Sequence, residues 1–444
     1  MRIACVHVPQ FALQCLTRID PSLRGAAVAV VGGGSGSTAA GRSALLHGPI
    51  VLACSRAAWA LGVRLGMTAT AVNGLAPGQI RVVTADAALE RETVRAIADA
   101  LLGASGQVDV GGRVGAGGAH LALYCEVPSK TRGTSYGDRL VEVLDALGLS
   151  GRIGIADDRF TAWVAASHAG ERAHADDAGV ISVPRGGSAA FLAPRPLSLL
   201  SITPEVQHML EALGIRTLGE FAALPAPSVA RPLEADYQAL ARGDGGQTLR
   251  AYLPDAPIRE QVAISSTLGT SAAIALLADR IALRLAGRGR GAVRLELAIG
   301  AASGERVLPI DALMSATAQL AGTGRVLETA EEIAEAISHA VGDEREAWRL
   351  AVAVVGEAVA GDPNVVAPAA SEAMNDATID TLAVVLSSTG STTAAAWQLT
   401  SPSSASTLRN ERRDAHRRTR RGKQHRRTSA AGVIQPKLFA DRRS

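Results

Sequence analysis

Carboxylates, the side chains that enzymes commonly use to hold divalent cations, are scarce at the N-terminal end of this chain. Asp20 is the only Asp or Glu among the first 85 residues. Asp109, Glu126 and Asp138 follow later, but none has a partner carboxylate near the N-terminus. Two-metal chemistry needs several carboxylates that converge on ions ~4 Å apart. The sequence therefore argues against a paired-metal site in this region.

Cysteine chemistry is also poorly supported. The four cysteines are scattered without C-x-x-C spacing, which argues against a zinc site and a disulfide framework. They are Cys5, Cys15, Cys54 and Cys125. No apolar run approaches the ~20 residues that span a bilayer. The residues 1–16 lack the pattern of a signal peptide. We expect a reduced, cytoplasmic protein with no membrane contact.

Basic residues are concentrated at the C-terminal end. Residues 409–444 carry thirteen Lys and Arg against three Asp and Glu, a net charge of +10. The whole chain carries +3, so residues 1–408 carry −7. A basic segment attached to a mildly acidic body is typical of contact with nucleic acid or an acidic partner.

The elements that position these residues follow from composition and periodicity. The 444 residues are 47% apolar but only 3% aromatic, which predicts several cores built from aliphatic side chains. Apolar periodicity predicts an alternation of strands and helices in the N-terminal part. The strands are 2–8, 26–31, 50–53 and 152–156, and the helices are 87–102, 139–147 and one that starts at Asp158.

Two short helices with clear boundaries are expected between residues 201 and 224. Thr203 is a predicted N-cap followed by Pro204, and Gly214 ends the first helix. Thr217 and Glu220 have capping-box spacing for the second helix. The pair resembles a helix-hairpin-helix unit, which presents backbone amides to phosphate.

The clearest architecture lies between residues 258 and 360. The predicted order is strand 261–266, helix 271–285, strand 293–299, strand 306–310, helix 329–341 and strand 348–355. This β-α-β-β-α-β order is that of a ferredoxin-like domain. Residues 361–408 read as a linker rich in Ala, Ser and Thr.

Three segments in order resemble motifs of the Y-family translesion DNA polymerases, the group that contains UmuC. Residues 54–67 (C-S-R-A-A-W-A-L-G-V-R-L-G-M) resemble S-Y-E-A-R-x-x-G-V-R-x-G-M. Residues 154–163 (G-I-A-D-D-R-F-T-A-W) resemble G-I-A-x-N-K-x-x-A-K, and residues 213–221 (L-G-I-R-T-L-G-E-F) resemble L-G-I-x-T-I-G-D-L. Three weak matches in order are a fairly specific signal.

The resemblance implies an α+β multidomain fold shaped like a right hand. It implies a palm (1–31 and 86–167), fingers (32–85) and a helical thumb with a helix-hairpin-helix (168–250). A ferredoxin-like little finger (258–360), the linker (361–408) and a disordered basic tail (409–444) follow.

The catalytic motifs of that family are degenerate here. Aligned on Phe11, His7 and Pro9 stand where the resemblance places two metal-binding Asp residues. Asp109 keeps the later motif's Asp, but Val110 replaces its Glu. Neutral imidazole is a poor ligand for Mg²⁺. We therefore expect no catalytic residues, no metal site and no cofactor.

Further family positions have changed chemistry. The triphosphate-contacting Tyr and Arg of the fingers become Arg56 and Trp59, and the lysines of the palm become Arg159 and Trp163.

The tail adds two expected binding segments. Gln435, Leu438 and Phe439 resemble the bacterial clamp-binding peptide Q-x-x-L-F, in which the two apolar side chains fill a cleft. DNA contacts are expected from arginines of the little finger and of the tail. They are Arg284, Arg288, Arg290, Arg294, Arg412, Arg413, Arg417, Arg418, Arg420 and Arg421.

Together these features resemble the noncatalytic ImuB group of the family. The resemblance implies an adaptor in SOS-induced translesion synthesis and mutagenesis that binds damaged DNA. Its partners would be the sliding clamp, an error-prone replicative-type polymerase and a RecA-like accessory protein. One alternative is an active Y-family translesion polymerase, which would need Mg²⁺. Another is a DNA-binding protein with neither clamp nor polymerase partners.

Overall fold

The computed structural model describes residues 1–32, 48–114, 118–129, 133–169, 179–225, 237–246, 248–265, 268–301, 318–341 and 347–360. All of them belong to one unit, Met1–Met374. The strands of this part are β1 (Ile3–Val8), β2 (Val28–Gly32), β3 (Ile50–Cys54), β4 (Arg81–Thr84), β5 (Val108–Val114), β6 (His120–Glu126), β7 (Arg152–Ala156), β8 (Gly179–Ser182), β9 (Arg259–Ala263), β10 (Arg290–Ala301), β11 (Ala318–Leu327) and β12 (Ala347–Val359).

The helices of the same residues alternate with these strands in a mixed α+β arrangement. They are α1 (Phe11–Ile19), α2 (Arg56–Ala60), α3 (Ala69–Leu75), α4 (Ala87–Leu102), α5 (Gly133–Ala146), α6 (Arg159–His168), α7 (Ser188–Leu192), α8 (Pro204–Ala212), α9 (Leu218–Ala222), α10 (Tyr237–Arg242), α11 (Thr270–Arg288) and α12 (Ala330–Val341). The predicted bounds of α4 and β7 are confirmed to the residue. The helix expected to start at Asp158 starts at Arg159, with Asp158 as its N-cap.

A five-stranded sheet of order β5-β6-β1-β7-β8 carries the expected site residues. β1 lies antiparallel to both β6 and β7, so its strand is hydrogen-bonded on both edges. Alternate residues point to opposite faces of a strand. On one face, Val6 and Val8 pack in a core with α1, α4 and α5. On the other face, Ile3 and Cys5 pack with residues of α6.

A separate three-stranded sheet has the order β3-β2-β4. β2 pairs antiparallel with β3 and parallel with β4, and α2 and α3 pack on it around Ala58 and Val72. The sequence placed most of β2 with the palm segment 1–31. In the structure β2 pairs with the strands of the expected fingers and not with β1. Residues 28–84, where described, are called the three-stranded module below.

The predicted helix pair at 201–224 is confirmed as α8 and α9. The Thr203 hydroxyl accepts the amide N–H of Val206, and Pro204 occupies the first turn. Thr217 and Glu220 form the expected capping box. The Thr217 hydroxyl accepts the amide N–H of Glu220, and the Glu220 carboxylate accepts the amide N–H of Thr217. These caps satisfy donors that a helix N-terminus leaves unpaired.

The C-terminal module of residues 259–359, where described, has the expected β-α-β-β-α-β order, but its sheet is not ferredoxin-like. Its order is β11-β10-β12-β9, so the second and fourth strands are central. A ferredoxin-like sheet has its first and third strands at the centre. Local periodicity reports elements and not their pairing, which is why the sequence missed this difference. The expected strand 306–310 lies outside the described residues, and β11 was not predicted.

A buried ion cluster joins the C-terminal module to the layer of helices behind the five-stranded sheet. Asp99 of α4 accepts hydrogen bonds from Arg284 (2.8 and 2.9 Å) and from Arg288 (2.9 and 3.0 Å). Arg284 also donates to Glu260 at 2.9 Å, and Glu260 accepts from Arg18 of α1 at 2.6 Å. The side chains of Asp99, Glu260 and Arg284 are fully buried.

The charges of this cluster stabilise one another. Burial alone would raise the pKa of Glu260, but the guanidinium groups of Arg18 and Arg284 lower it to about 2. Helices α4 and α11 also approach closely. A Cβ atom on Gly287 would lie 1.9 Å from the carbonyl oxygen of Asp99, so this position requires glycine. The contact between α4 and α11 therefore depends on close approach of the two backbones and on buried ion pairs.

No helix within the described part of the chain is both long and apolar enough to cross a membrane.

We predict that Arg284→Met lowers the free energy of unfolding by about 3–5 kcal/mol, because it leaves two buried carboxylates without their shared cation. Urea denaturation followed by circular dichroism measures the effect. Arg290→Met is the matched control, since Arg290 is exposed at the start of β10, and its effect should stay within about 0.5 kcal/mol. Equal unfolding midpoints for the two variants would contradict the assignment.

Candidate functional site

Asp109 is the one expected metal-motif carboxylate, and both of its oxygens are already engaged. Its Oδ1 accepts the amide N–H of Gly111 at 2.8 Å. Its Oδ2 accepts the amide N–H of Arg250 at 2.8 Å and the Nη1 of Arg159 at 2.5 Å. The Asp109 side chain is only 6% exposed. Burial alone would raise the pKa of Asp109, but the two amides and the Arg159 guanidinium hold it below its ordinary value.

A bulge in β5 creates this carboxylate pocket. The pairing of β5 with β6 shifts between Asp109 and Gly112. Gly111 within the bulge has φ +56°, and a Cβ atom there would lie 2.2 Å from the carbonyl oxygen of Ala122. Only glycine fits such a position, and bulges commonly redirect side chains. The local backbone therefore turns an amide toward Asp109.

Arg159 is held in place by two groups besides Asp109. It begins α6, and its guanidinium lies 4.2 Å from the centroid of the Tyr124 ring. Its Nη1 also donates to the carbonyl oxygen of Thr248 at 3.0 Å. A cation over an aromatic face adds attraction to the ion pair. Arg159 is 28% exposed, so its outer part can still meet solvent or an anion.

His7 occupies a different part of the same sheet face. In the strand register Cys5, and not His7, lies in line with Tyr124 and Asp109, whereas His7 pairs with Ala122. The His7 side chain is buried, and its Nδ1 has no hydrogen-bond partner among the described residues.

The charge state of His7 follows from this burial. Its ring centroid lies 5.1 Å from that of His120. Burial, together with the positive potential of His120 and Arg152, lowers the pKa of His7 to about 3. Burial and nearby arginines also lower the pKa of His120, whose Nδ1 accepts the amide N–H of Gln10 at 3.2 Å. Two neutral imidazoles therefore lie side by side.

The other two expected positions carry no ligand atoms. Pro9 lies in the turn between β1 and α1, before Gln10, which has φ 48°. Val110 is partly buried against the core behind the sheet, on the face opposite Asp109. Among the described residues, no group of three or more His, Cys, Asp or Glu side chains is arranged to hold a metal ion.

Two of the four little-finger arginines that were expected to contact DNA do not form a DNA-binding surface in this structure. Arg284 is fully buried and Arg288 is 6% exposed, because both lie in the ion cluster with Asp99. Their side chains thus face protein carboxylates instead of solvent, which corrects the sequence expectation. Arg290 is exposed and Arg294 half-buried on β10, so these two stay as candidates. The expected arginines of the tail and the clamp-binding residues lie outside the described residues.

The N-terminal part that forms this site has recognisable relatives. Residues 6–167 match the impB/mucB/samB family. This match spans β1 through most of α6 and so includes His7, Asp109 and Arg159. The matched family is of the UmuC-like Y-family type, and the match contains two of the three motifs, those of residues 54–67 and 154–163.

Curated relatives match over a shorter stretch. The chain is 42% identical over 81 residues to a protein named DNA polymerase IV from Dehalococcoides mccartyi strain CBDB1. It is 40% identical over 81 residues to the protein of that name from strain 195 of the same species. Each match covers 18% of this chain and 19% of the relative, so the chain spans about a fifth of the length of these proteins.

Among solved structures, similar chains are Y-family polymerases. DinB from Sulfolobus solfataricus is 14% identical with a TM-score of 0.43, over 81% of this chain and 99% of that one. A post-insertion binary complex of Dbh DNA polymerase is 13% identical with a TM-score of 0.46, over 80% and 98%.

The residues of the site do not fit the pair of Mg²⁺ ions that nucleotidyl transfer requires. Mg²⁺ prefers carboxylate and water oxygens in octahedral geometry. Here the oxygens of Asp109 accept three hydrogen bonds from the protein, and an arginine cation lies against one of them. A divalent cation would have to displace Arg159. The residues in register with Asp109 on the neighbouring strands are Tyr124 and Cys5, which supply no further carboxylate.

Sequence reasoning identified the altered positions but missed their partners. It noted Arg159 as a lost lysine and not as the partner of Asp109, because 49 residues separate the two along the chain. Asp99 was missed for the same reason. One available signal was the four-residue spacing of Arg280, Arg284 and Arg288, which puts them on one face of α11 beside buried Ile281 and Leu285.

We predict that Arg159→Met raises the pKa of Asp109 by removing the adjacent cation. A group with a lowered pKa in the folded state stabilises the fold above its unfolded-state pKa and loses that contribution as pH falls. The variant should therefore lose less stability than the wild type between pH 5 and pH 3, as measured by urea unfolding. Arg139→Met, on the exposed side of α5, is the control. If Arg159→Met and the wild type lost the same free energy of unfolding between pH 5 and pH 3, the ion pair would be contradicted.

Proposed function

We propose that this protein is a noncatalytic, Y-family polymerase-like adaptor in DNA repair, acting in SOS-induced translesion synthesis and mutagenesis. It binds damaged DNA and links the sliding clamp to an error-prone replicative-type polymerase, with a RecA-like protein as a further partner. The family match of residues 6–167 supports the polymerase-like body.

One observation carries the noncatalytic part of the proposal. The carboxylate of Asp109 is neutralised by Arg159, at 2.5 Å, and the side chain at the first motif position, His7, is a buried neutral imidazole. Phosphoryl transfer in polymerases depends on metal ions that neutralise the triphosphate. Arg159 already balances the negative charge of Asp109. The carboxylate is therefore not free to bind a metal ion while this ion pair is formed.

The partner assignments rest on the sequence. The tail supplies a strongly basic run, residues 409–427, that contains no Phe, Tyr or Trp, which suits sequence-independent contact with phosphates. Gln435, Leu438 and Phe439 supply a short apolar peptide of the type that fills a pocket on a clamp.

A second candidate function is an active translesion polymerase. The observation in its favour is the 42% identity over 81 residues to a protein named DNA polymerase IV. Asp109 would then be its one retained metal ligand, released by Arg159 when nucleotide binds.

Primer extension separates the two functions. We predict no nucleotide incorporation by the full chain with Mg²⁺ or Mn²⁺, while duplex DNA is bound in EDTA with an affinity that falls roughly 10³-fold or more between 50 and 200 mM salt. Incorporation that disappears in Asp109→Ala would establish the polymerase and refute the adaptor.

The clamp assignment is tested by Phe439→Ala. Loss of the aromatic anchor should reduce clamp binding to below detection in a pull-down, because hot-spot side chains of this kind contribute ~2 kcal/mol or more. Val433→Ala, in the same tail, is the control and should bind as wild type. Undiminished binding by Phe439→Ala would remove the tail from the clamp interface.

A further inference from the structure

The three-stranded module exposes an unusual amount of apolar surface beside α2. Trp59 is 48% exposed, Leu61 37% and Leu75 43%. Leu75 lies next to the turn after α2, because a Cβ atom on Gly62 would be 3.8 Å from its methyl groups. Trp59 is the only exposed Phe, Tyr or Trp among the side chains that the structure describes. Clustered exposed apolar side chains mark binding surfaces more often than single ones do.

The charge around this surface has one sign. Residues 28–84 contain four arginines and no Asp or Glu. Two of the four, Arg56 and Arg64, flank Trp59 in sequence and are exposed. Within the described part of the chain neither forms an ion pair with a carboxylate. A surface that is positive, without compensating acids, attracts a polyanion.

Arg64 is held against the indole. Its guanidinium carbon lies 4.0 Å from the centroid of the Trp59 ring. Its Nη1 donates to the carbonyl oxygens of Trp59 (2.7 Å) and Val63 (2.8 Å). The aromatic ring and the cation are therefore preorganised as one unit, which lowers the entropic cost of binding.

We propose that this surface binds an unpaired DNA strand, with a base stacked on Trp59 and adjacent phosphates contacted by Arg56 and Arg64. The inference rests on the proposed DNA-binding function and narrows its ligand to single-stranded DNA. Stacking on an aromatic side chain needs a base that has left its own stack, which an unpaired strand offers and an intact duplex does not. Leu61 and Leu75 extend the apolar floor for a neighbouring base.

This surface differs from the expected DNA contacts in the tail. The arginine-rich run of residues 409–427 has no aromatic residue, so it binds phosphates but cannot stack bases. We therefore expect the two sites to differ in their preference for unpaired over paired DNA. The tail contributes equally to paired and unpaired DNA, whereas Trp59 contributes only to the unpaired form.

The test uses the full chain in EDTA with a labelled unpaired oligonucleotide and a blunt hairpin duplex of equal charge. We expect Trp59→Ala to weaken binding of the unpaired strand on the order of 10- to 100-fold, from the usual value of one stacked base. Trp59→Phe should keep most of the affinity. Duplex binding should not change. Leu253→Ala is the control, because it truncates another exposed apolar side chain (77% exposed) that lies outside the α8–α9 pair.

Photo-cross-linking of the wild-type chain provides a readout that needs no variant. An unpaired strand carrying 5-iodouracil should cross-link to the peptide that contains Trp59. Cross-links confined to residues 409–444, or unchanged affinity in Trp59→Ala, would overturn the proposal. If Trp59→Ala lost binding to a polyglutamate peptide but kept its binding to DNA, the proposal would also be overturned. The surface would then be assigned to an acidic protein.

These outcomes are distinct from failure of the adaptor function. Nucleotide incorporation by the wild-type chain would refute the noncatalytic role without affecting the Trp59 result. Absence of binding to either form of DNA would refute both.

Discussion

A buried carboxylate stays ionised only when a nearby positive charge or several hydrogen bonds compensate for the lost hydration, and the compensating group determines what else the carboxylate can bind. At Asp109 that group is Arg159, supported by the face of Tyr124 and by two backbone amides. In a polymerase the same compensation would come from metal ions. Here a tethered side-chain cation supplies the compensation, and it occupies one carboxylate oxygen of Asp109.

The ion cluster behind the five-stranded sheet follows the same rule. Asp99 and Glu260 are fully buried, and Arg18, Arg284 and Arg288 compensate for their charges. These three arginines therefore stabilise the fold and are buried away from solvent. Elsewhere, in the three-stranded module, arginines lack nearby acids and are exposed. The function of an arginine in this protein depends on whether a carboxylate lies within reach, which composition alone cannot reveal.

Sequence reasoning was accurate where the determinants are local. The capping residues Thr203 and Thr217 were predicted from neighbouring side chains and occur as expected. It was less accurate where the determinants are distant along the chain. The strand order of the C-terminal module depends on pairing between segments, which no local pattern encodes. The spacing of the arginines on α11 places Arg284 on the buried face, but its partner Asp99 lies on a distant helix. At the site, the residue types alone indicate that His7, Pro9 and Val110 supply no carboxylate. The pairing of Asp109 with Arg159 could be identified only from the structure.

The central claim is that the site of Asp109 does not hold two divalent cations. Mn²⁺ titration monitored by electron paramagnetic resonance, with an incoming nucleoside triphosphate and primed DNA present, measures this directly. We predict that the wild type and Asp109→Asn both bind no Mn²⁺ beyond the amount that the nucleotide and the primed DNA bind without protein. Two additional ions bound per wild-type chain, and lost in Asp109→Asn, would contradict it.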